Sequence, residues 1–248
     1  MRKFNITILH GIGSQSQGYT REFQKAIEAE IADLTDKDFS INFNEIVYSD
    51  IIDAKVRAYT AREKASKVNY DGTRELFNIY ANDAIAFNIP SVKKRIIKRI
   101  LDRDKDVAGS HKIYIAHSLG GNVLFNYLTS IKRDIGSIFT LGTPLALFLL
   151  YDTNLDKIRK IARSPLWLNI VGADDVIGKP IFDLDEVDFN YIAKVGGFFI
   201  RQTPLSHCDY FGNDDNVIRP IAKRVSMLID NKYNLHDYKK YVRGLWNI

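Results

Sequence analysis

Apolar residues in this chain gather into short continuous runs bounded by turn-forming residues, and between the runs they recur at helical spacing. Phe4 to Leu9, Ile41 to Tyr48, Ile113 to Ala116, Ser137 to Leu141, Leu166 to Val171 and, with a weaker pattern, Gly197 to Ile200 predict strands. Phe23, Ala26, Ile27 and Ile31 share one face of a helix predicted over 19–34, and Val123 to Ile131 and Val217 to Ile229 repeat such a face. Short strands alternating with helices imply βαβ units, and so an α/β fold whose mostly parallel sheet of about six strands is flanked by helices.

The interval from Ser49 to His111 is too long for a simple crossover and carries several helical patterns. The clearest is "SVKKRIIKRILDRD" after Pro90, with Val92, Ile96, Ile97, Ile100 and Leu101 on one face and Lys93, Lys94, Arg95, Lys98, Arg99 and Arg103 on the other. Inserted at the carboxyl edge of a parallel sheet, residues 49–111 form either a lid over the ligand crevice or a plain cover for the sheet. The basic face of that helix is either solvated or makes a weak contact with an anionic membrane surface.

Composition narrows the picture. A chain of 248 residues with 46% hydrophobic content buries one substantial core, so residues 1–248 are expected to form a single domain. The net charge of +5, from 35 basic and 30 acidic residues, is spread along the chain, a weak argument for nucleic acid, and none is expected as a partner. Cys208 is the sole cysteine, which rules out an intramolecular disulfide. The opening "MRKFNITILHGIG" reads as a strand rather than a signal peptide, and no apolar run approaches the ~18 residues that span a bilayer. A soluble, cytoplasmic protein is the expectation.

Candidate chemistry centres on "KIYIAHSLGGN". Ser118 follows a strand and precedes a helix, so it is either a nucleophile on a sharp turn or an ordinary helix N-cap. The pentapeptide AHSLG departs from the G-x-S-x-G nucleophile elbow only in having Ala116 for the first glycine. In "ILHGIGSQ", Gly11 and Gly13 make a tight turn at a strand end. Such a turn can aim the backbone N–H of Ile12, paired with that of Leu119, at a developing negative charge. "GADD" at the end of another strand offers Asp174 and Asp175 as acids, with Asp174 preferred from its spacing to Val176 and Ile177; both could also be turn-formers. His207, in "SHCDYF", is the one histidine downstream of these aspartates that lies between a predicted strand and a helix, and it is the candidate base. His10 precedes the serine and is read as shaping its loop, while Cys208 is read as a small packing residue.

Assembled in the order Ser, Asp, His, the chain resembles the α/β-hydrolase superfamily. It is most similar to a lipase-like branch that includes intracellular phospholipase-type and GPI-inositol-deacylase-like proteins. The resemblance rests on "ITILHGIGSQ", "IYIAHSLGGNVLFNYL", "IFTLGTPLALF", "WLNIVGADDVIGKP" and "SHCDYF". It implies Ser118 as nucleophile, His207 as general base and Asp174, or alternatively Asp175, as the orienting acid. It further implies an oxyanion hole at Ile12 and Leu119 and substrate contacts from His10, Gly11, Thr143 and Pro144. Neither metal nor organic cofactor is expected, and the substrate would be a small-molecule or lipid ester. The same triad would also serve an acyltransferase or thioesterase, and a non-catalytic binding module could keep the fold.

Overall fold

The computed structural model describes residues 1–13, 15–52, 81–104, 109–131, 135–150, 166–182, 187–196, 204–212, 214–232 and 234–245. Its strands are β1 (Arg2–Leu9), β2 (Phe39–Ile46), β3 (Ser110–His117), β4 (Ser137–Leu141), β5 (Trp167–Gly172) and β6 (Phe189–Ala193). They form one sheet in the order β2-β1-β3-β4-β5-β6, and every neighbouring pair is parallel. The helices are α1 (Arg21–Leu34), α2 (Pro90–Arg103), α3 (Leu119–Ser130), α4 (Leu145–Leu149), α5 (Asp215–Asp230) and α6 (Leu235–Gly244). A 3-10 helix spans Pro204–Phe211, and residues 81–88 are also helical.

The central strands are apolar at nearly every position because both faces of the sheet are covered. Along β3, Ile113 and Ile115 point into one core with Phe23, Ile27 and Ile31 of α1 and Val217, Ile221 and Val225 of α5. Tyr114 and Ala116, one residue out of step, point into a second core with Val92, Ile96 and Ile100 of α2 and Val123, Leu124 and Tyr127 of α3. The period of two along a strand thus divides one run between two layers. β1 pairs with β2 on one side and β3 on the other, so the winding reverses between β1 and β3. Ligand crevices in open parallel sheets form outside the carboxyl ends of strands at such a point.

The last described strand of the sheet is "FNYIA" of β6, which was not among the expected strands; the stretch 197–200, expected as a strand, lies outside the described residues. The basic helix α2 buries Val92, Ile96 and Ile100 against α3 and β2, while Arg99 is paired with Asp50 and Lys98 with Asp102. Residues 53–80 of the expected insertion lie outside the described residues. The charged C-terminal segment docks on its own domain as α6, burying Tyr238 and Val242 in the α1/α5 core, and the Tyr238 hydroxyl donates to the Pro220 carbonyl at 2.9 Å. No described helix is long and apolar enough to cross a membrane.

Candidate active site

Ser118 sits between β3 and α3 with φ 54° and ψ −128°, a conformation that costs a non-glycine residue roughly 1–3 kcal/mol. Its neighbours hold it there. The Ser118 N–H donates to the Leu141 carbonyl at 2.9 Å, and the Ser118 carbonyl accepts from the Gly121 N–H at 3.0 Å. The first turn of α3 then passes so close to the end of β1 that a methyl group at Gly120 would overlap the His10 carbonyl oxygen. A methyl at Gly11 would lie 2.5 Å from the Ser118 Cβ. Ala116 is fully buried in the α2/α3 core, where its methyl is accommodated. Ser118 takes the N-cap position of α3, but its side chain makes no capping hydrogen bond to that helix.

The Ser118 hydroxyl instead meets His207, whose Nε2 lies 2.7 Å from Oγ. On the other side of the ring, Nδ1 lies 2.9 and 3.0 Å from the two carboxylate oxygens of Asp175. An ionised carboxylate only accepts, so Nδ1 carries the proton and Nε2 is left to accept from the serine. All three residues are buried.

The preference for Asp174 is thereby corrected. A turn closed by the Asp175 N–H on the Gly172 carbonyl, at 3.0 Å, leaves Asp174 at its exposed corner and returns Asp175 to the sheet edge. There Asp175 Oδ1 accepts from the N–H groups of Ile177 and Gly178 at 2.8 and 2.9 Å, and Oδ2 accepts from the Tyr210 hydroxyl at 2.7 Å. Burial pushes the Asp175 carboxyl up, but the hydrogen bond and charge of His207, the Gly178 N–H and Tyr210 outweigh it and hold the group at about 2. It is an anion at any ordinary pH.

Serine after β3, aspartate after β5 and histidine after β6 converge at the carboxyl ends of a doubly wound parallel sheet. The all-parallel, helix-flanked sheet is consistent with the α/β-hydrolase fold expected from the sequence. No protein-family model matches the chain, and no curated protein matches it in sequence. Among solved structures it is similar to Est1E from Butyrivibrio proteoclasticus, with 10% identity, 93% of this chain and 88% of that chain covered, and a TM-score of 0.43. It is also similar to an uncharacterized protein from Bacillus cereus ATCC 10987, with 9% identity, 72% of this chain covered and a TM-score of 0.40. The match covers 46% of the Bacillus cereus protein, so this chain spans about half its length.

The remaining expected residues are placed as follows. Leu119 is the first residue of α3, where backbone N–H groups lack helical partners, and Ile12 lies in the turn just after β1. Gly11 packs beside Ser118. His10 does not face the crevice: it is buried, with its ring stacked on Tyr48 at 4.0 Å. Its Nε2 accepts from the Tyr48 N–H at 3.1 Å and its Nδ1 donates to the Gly11 carbonyl at 2.8 Å, which fixes the neutral tautomer and shapes the loop. Thr143 is buried as well, its hydroxyl accepting from the Leu145 N–H at 3.2 Å at the start of α4. Pro144 is the buried residue that precedes α4.

Several supporting residues carried no sequence signal. His117, buried inside the elbow, donates from Nε2 to the His207 carbonyl at 2.7 Å. Burial, with the nearby charge of His207, lowers its pKa to about 3, so it is a neutral strut for the catalytic loop. Tyr210 accepts from the Gly172 N–H at 2.6 Å while donating to Asp175, joining the end of β5 to the 3-10 helix. Asp83, from helical residues 81–88, accepts from the Gly13 N–H at 2.8 Å, one residue beyond Ile12. Tyr210 stands three residues after His207, one turn of the 3-10 helix, and that spacing was the only available clue.

Proposed function

We propose that the protein is a serine hydrolase that cleaves a carboxylic ester through an acyl-enzyme intermediate. The observation that carries this reading is the unbroken chain Asp175, His207 Nδ1, His207 Nε2, Ser118 Oγ, ending on a hydroxyl held in a strained backbone. Ser118 Oγ attacks the ester carbonyl carbon while its proton passes to His207 Nε2. Asp175 keeps the imidazole in the required tautomer and stabilises the imidazolium. The N–H groups of Ile12 and Leu119 receive the oxyanion, each such donor being worth about 3 kcal/mol in the transition state. Collapse of the tetrahedral intermediate breaks the bond to the alcohol, which leaves with the proton from His207. Water then attacks the acyl-Ser118 ester, giving its proton to His207 Nε2, and the acid is released as Ser118 recovers its proton.

Ser118 in this scheme is the nucleophile, His207 the general base and Asp175 the orienting acid. The substrate is a small-molecule or lipid ester with an apolar acyl part, because Leu145, Phe148 and Leu149 of α4 stand next to the elbow helix as an apolar wall. Labelling by a fluorophosphonate probe tests the reading. Wild-type protein becomes labelled and Ser118→Ala does not; a folded wild type that resists labelling overturns it.

A further inference from the structure

Asn122 is 1% exposed, and among the described residues neither its Nδ2 nor its Oδ1 has a hydrogen-bond partner. Buried polar groups are nearly always partnered, because an unpaired donor or acceptor loses its water and gains nothing in return. Two such atoms on one side chain call for a reason. Packing is not one, since Leu119 and Val123 on the same helix meet the core with aliphatic side chains.

The place of Asn122 supplies the reason. It lines a cavity of about 530 Å³ bounded by α3, α4 and the helical residues 81–88, with Phe87, Phe125, Leu145 and Phe148 among its walls. Asn122 follows Ser118 by four residues and lies in the first turn of the helix that Ser118 precedes. The cavity therefore lies along the elbow helix, its aromatic and leucine walls interrupted by Asn88, Lys93 and Asn126, with the Asn122 amide among its lining. Binding sites of this size are mostly apolar, with a few polar groups that fix orientation.

We infer that Asn122 determines substrate specificity, and that the cavity takes an acyl chain carrying a hydroxyl group. A hydroxyl is the smallest group that answers both atoms at once: its hydrogen is donated to Oδ1 and its oxygen accepts from Nδ2. The chain on either side packs against the aromatic and leucine side chains. A plain alkyl chain in the same cavity leaves the amide unpaired, so discrimination comes from the penalty on the wrong substrate as much as from the bond to the right one. This inference rests on Ser118 as nucleophile and names the substrate class of that same site.

Paired p-nitrophenyl esters of equal chain length, hexanoyl and ring-free hydroxyhexanoyl positional isomers, give the test. Wild-type kcat/KM favours at least one hydroxyhexanoyl isomer over hexanoyl by about tenfold, the size expected of one buried hydrogen-bonded group. Asn122→Leu reverses the order in favour of hexanoyl. The ratio is read within each variant, so a general loss of activity cancels. If Asn122→Leu fails to fold, the wild-type ratio decides alone: a value at or below one for every isomer means that Asn122 serves a buried water or nothing, and overturns the proposal. An unchanged ratio in folded Asn122→Leu overturns it equally. Wild-type protein that resists fluorophosphonate and cleaves neither ester marks a failure of the hydrolase reading itself, which is a separate outcome.

Discussion

Asp104 and Asp175 are both buried carboxylates, and each is surrounded by donors. Asp104 lies just beyond α2, accepting from Thr7 and Tyr114 at 2.7 Å and from Tyr127 at 2.8 Å, and it is paired with Lys112. Asp175 accepts from His207, Tyr210 and two backbone N–H groups. In both, burial pushes the carboxyl up and the partners outweigh it, so both are held below the ordinary carboxylate value. The difference lies in what the partners do next. The donors around Asp104 end on the carboxylate and tie β1, β3, α2 and α3 together. The imidazole on Asp175 passes on to a hydroxyl, and that hydroxyl sits on the one described serine with a positive φ. A shifted carboxyl therefore does not distinguish a structural clasp from the proposed catalytic one; its connection through His207 to the strained Ser118 does.

The largest way to break this comparison is to neutralise each aspartate in turn. Asp175→Asn lowers kcat for ester hydrolysis by about 10⁴-fold, the scale set when an orienting carboxylate loses its charge in a serine triad. Asp104→Asn leaves kcat of the folded protein within a factor of about two, since it touches no reacting atom, and Asp174→Asn at the exposed turn corner does the same. Loss of activity in Asp174→Asn with none in Asp175→Asn would restore the discarded assignment.

Truncation reverses the ranking. Asp104→Ala strands the Lys112 ammonium and three hydroxyls, and urea unfolding at neutral pH shows a loss of about 3–5 kcal/mol. Acid separates the clasp from the rest of the protein by another route. A carboxyl whose folded value is depressed gives stability that is fully present above the unfolded value, about 4, and lost as pH falls through the folded one. Wild-type protein thus loses stability between pH 5 and 2, and Asp104→Asn, lacking one such group, loses less over the same window in urea titrations. An equal acid loss in both would place the effect elsewhere.

The smallest and sharpest contrast removes a single hydroxyl from each aspartate. Tyr127→Phe costs about 1 kcal/mol of stability and leaves kcat alone. Tyr210→Phe costs about 1–2 kcal/mol, because the Gly172 N–H also loses its acceptor, and lowers kcat several-fold through a less firmly held Asp175. Matching effects of the two substitutions on kcat would erase the distinction drawn between the sites.

Most of the sheet was legible because its strands are buried on both faces and read as unbroken apolar runs, as in "SIFTL" of β4, where the expected bounds match those observed. β6 escaped because it lies at the edge of the described sheet and mixes polar with apolar residues, "FNYIA". That Ser118 meets His207 was legible because an elbow pattern and a chain order can be read directly from the sequence. The choice between Asp174 and Asp175 was not. One turn hydrogen bond, Asp175 N–H to Gly172 carbonyl, decides which carboxylate faces inward, and adjacent aspartates look alike to any spacing rule. His117, Tyr210 and Asp83 act through backbone atoms of residues distant in sequence, or through partners that only the fold brings near, so their types alone could not announce them.

The central claim, that Ser118 carries the acyl group, is tested most directly by mass spectrometry of protein quenched during turnover of a p-nitrophenyl ester. The account predicts a burst of p-nitrophenol with an acyl mass increment on the peptide containing Ser118, absent in Ser118→Ala. An increment on Cys208 instead, or turnover that persists in Ser118→Ala, would contradict it.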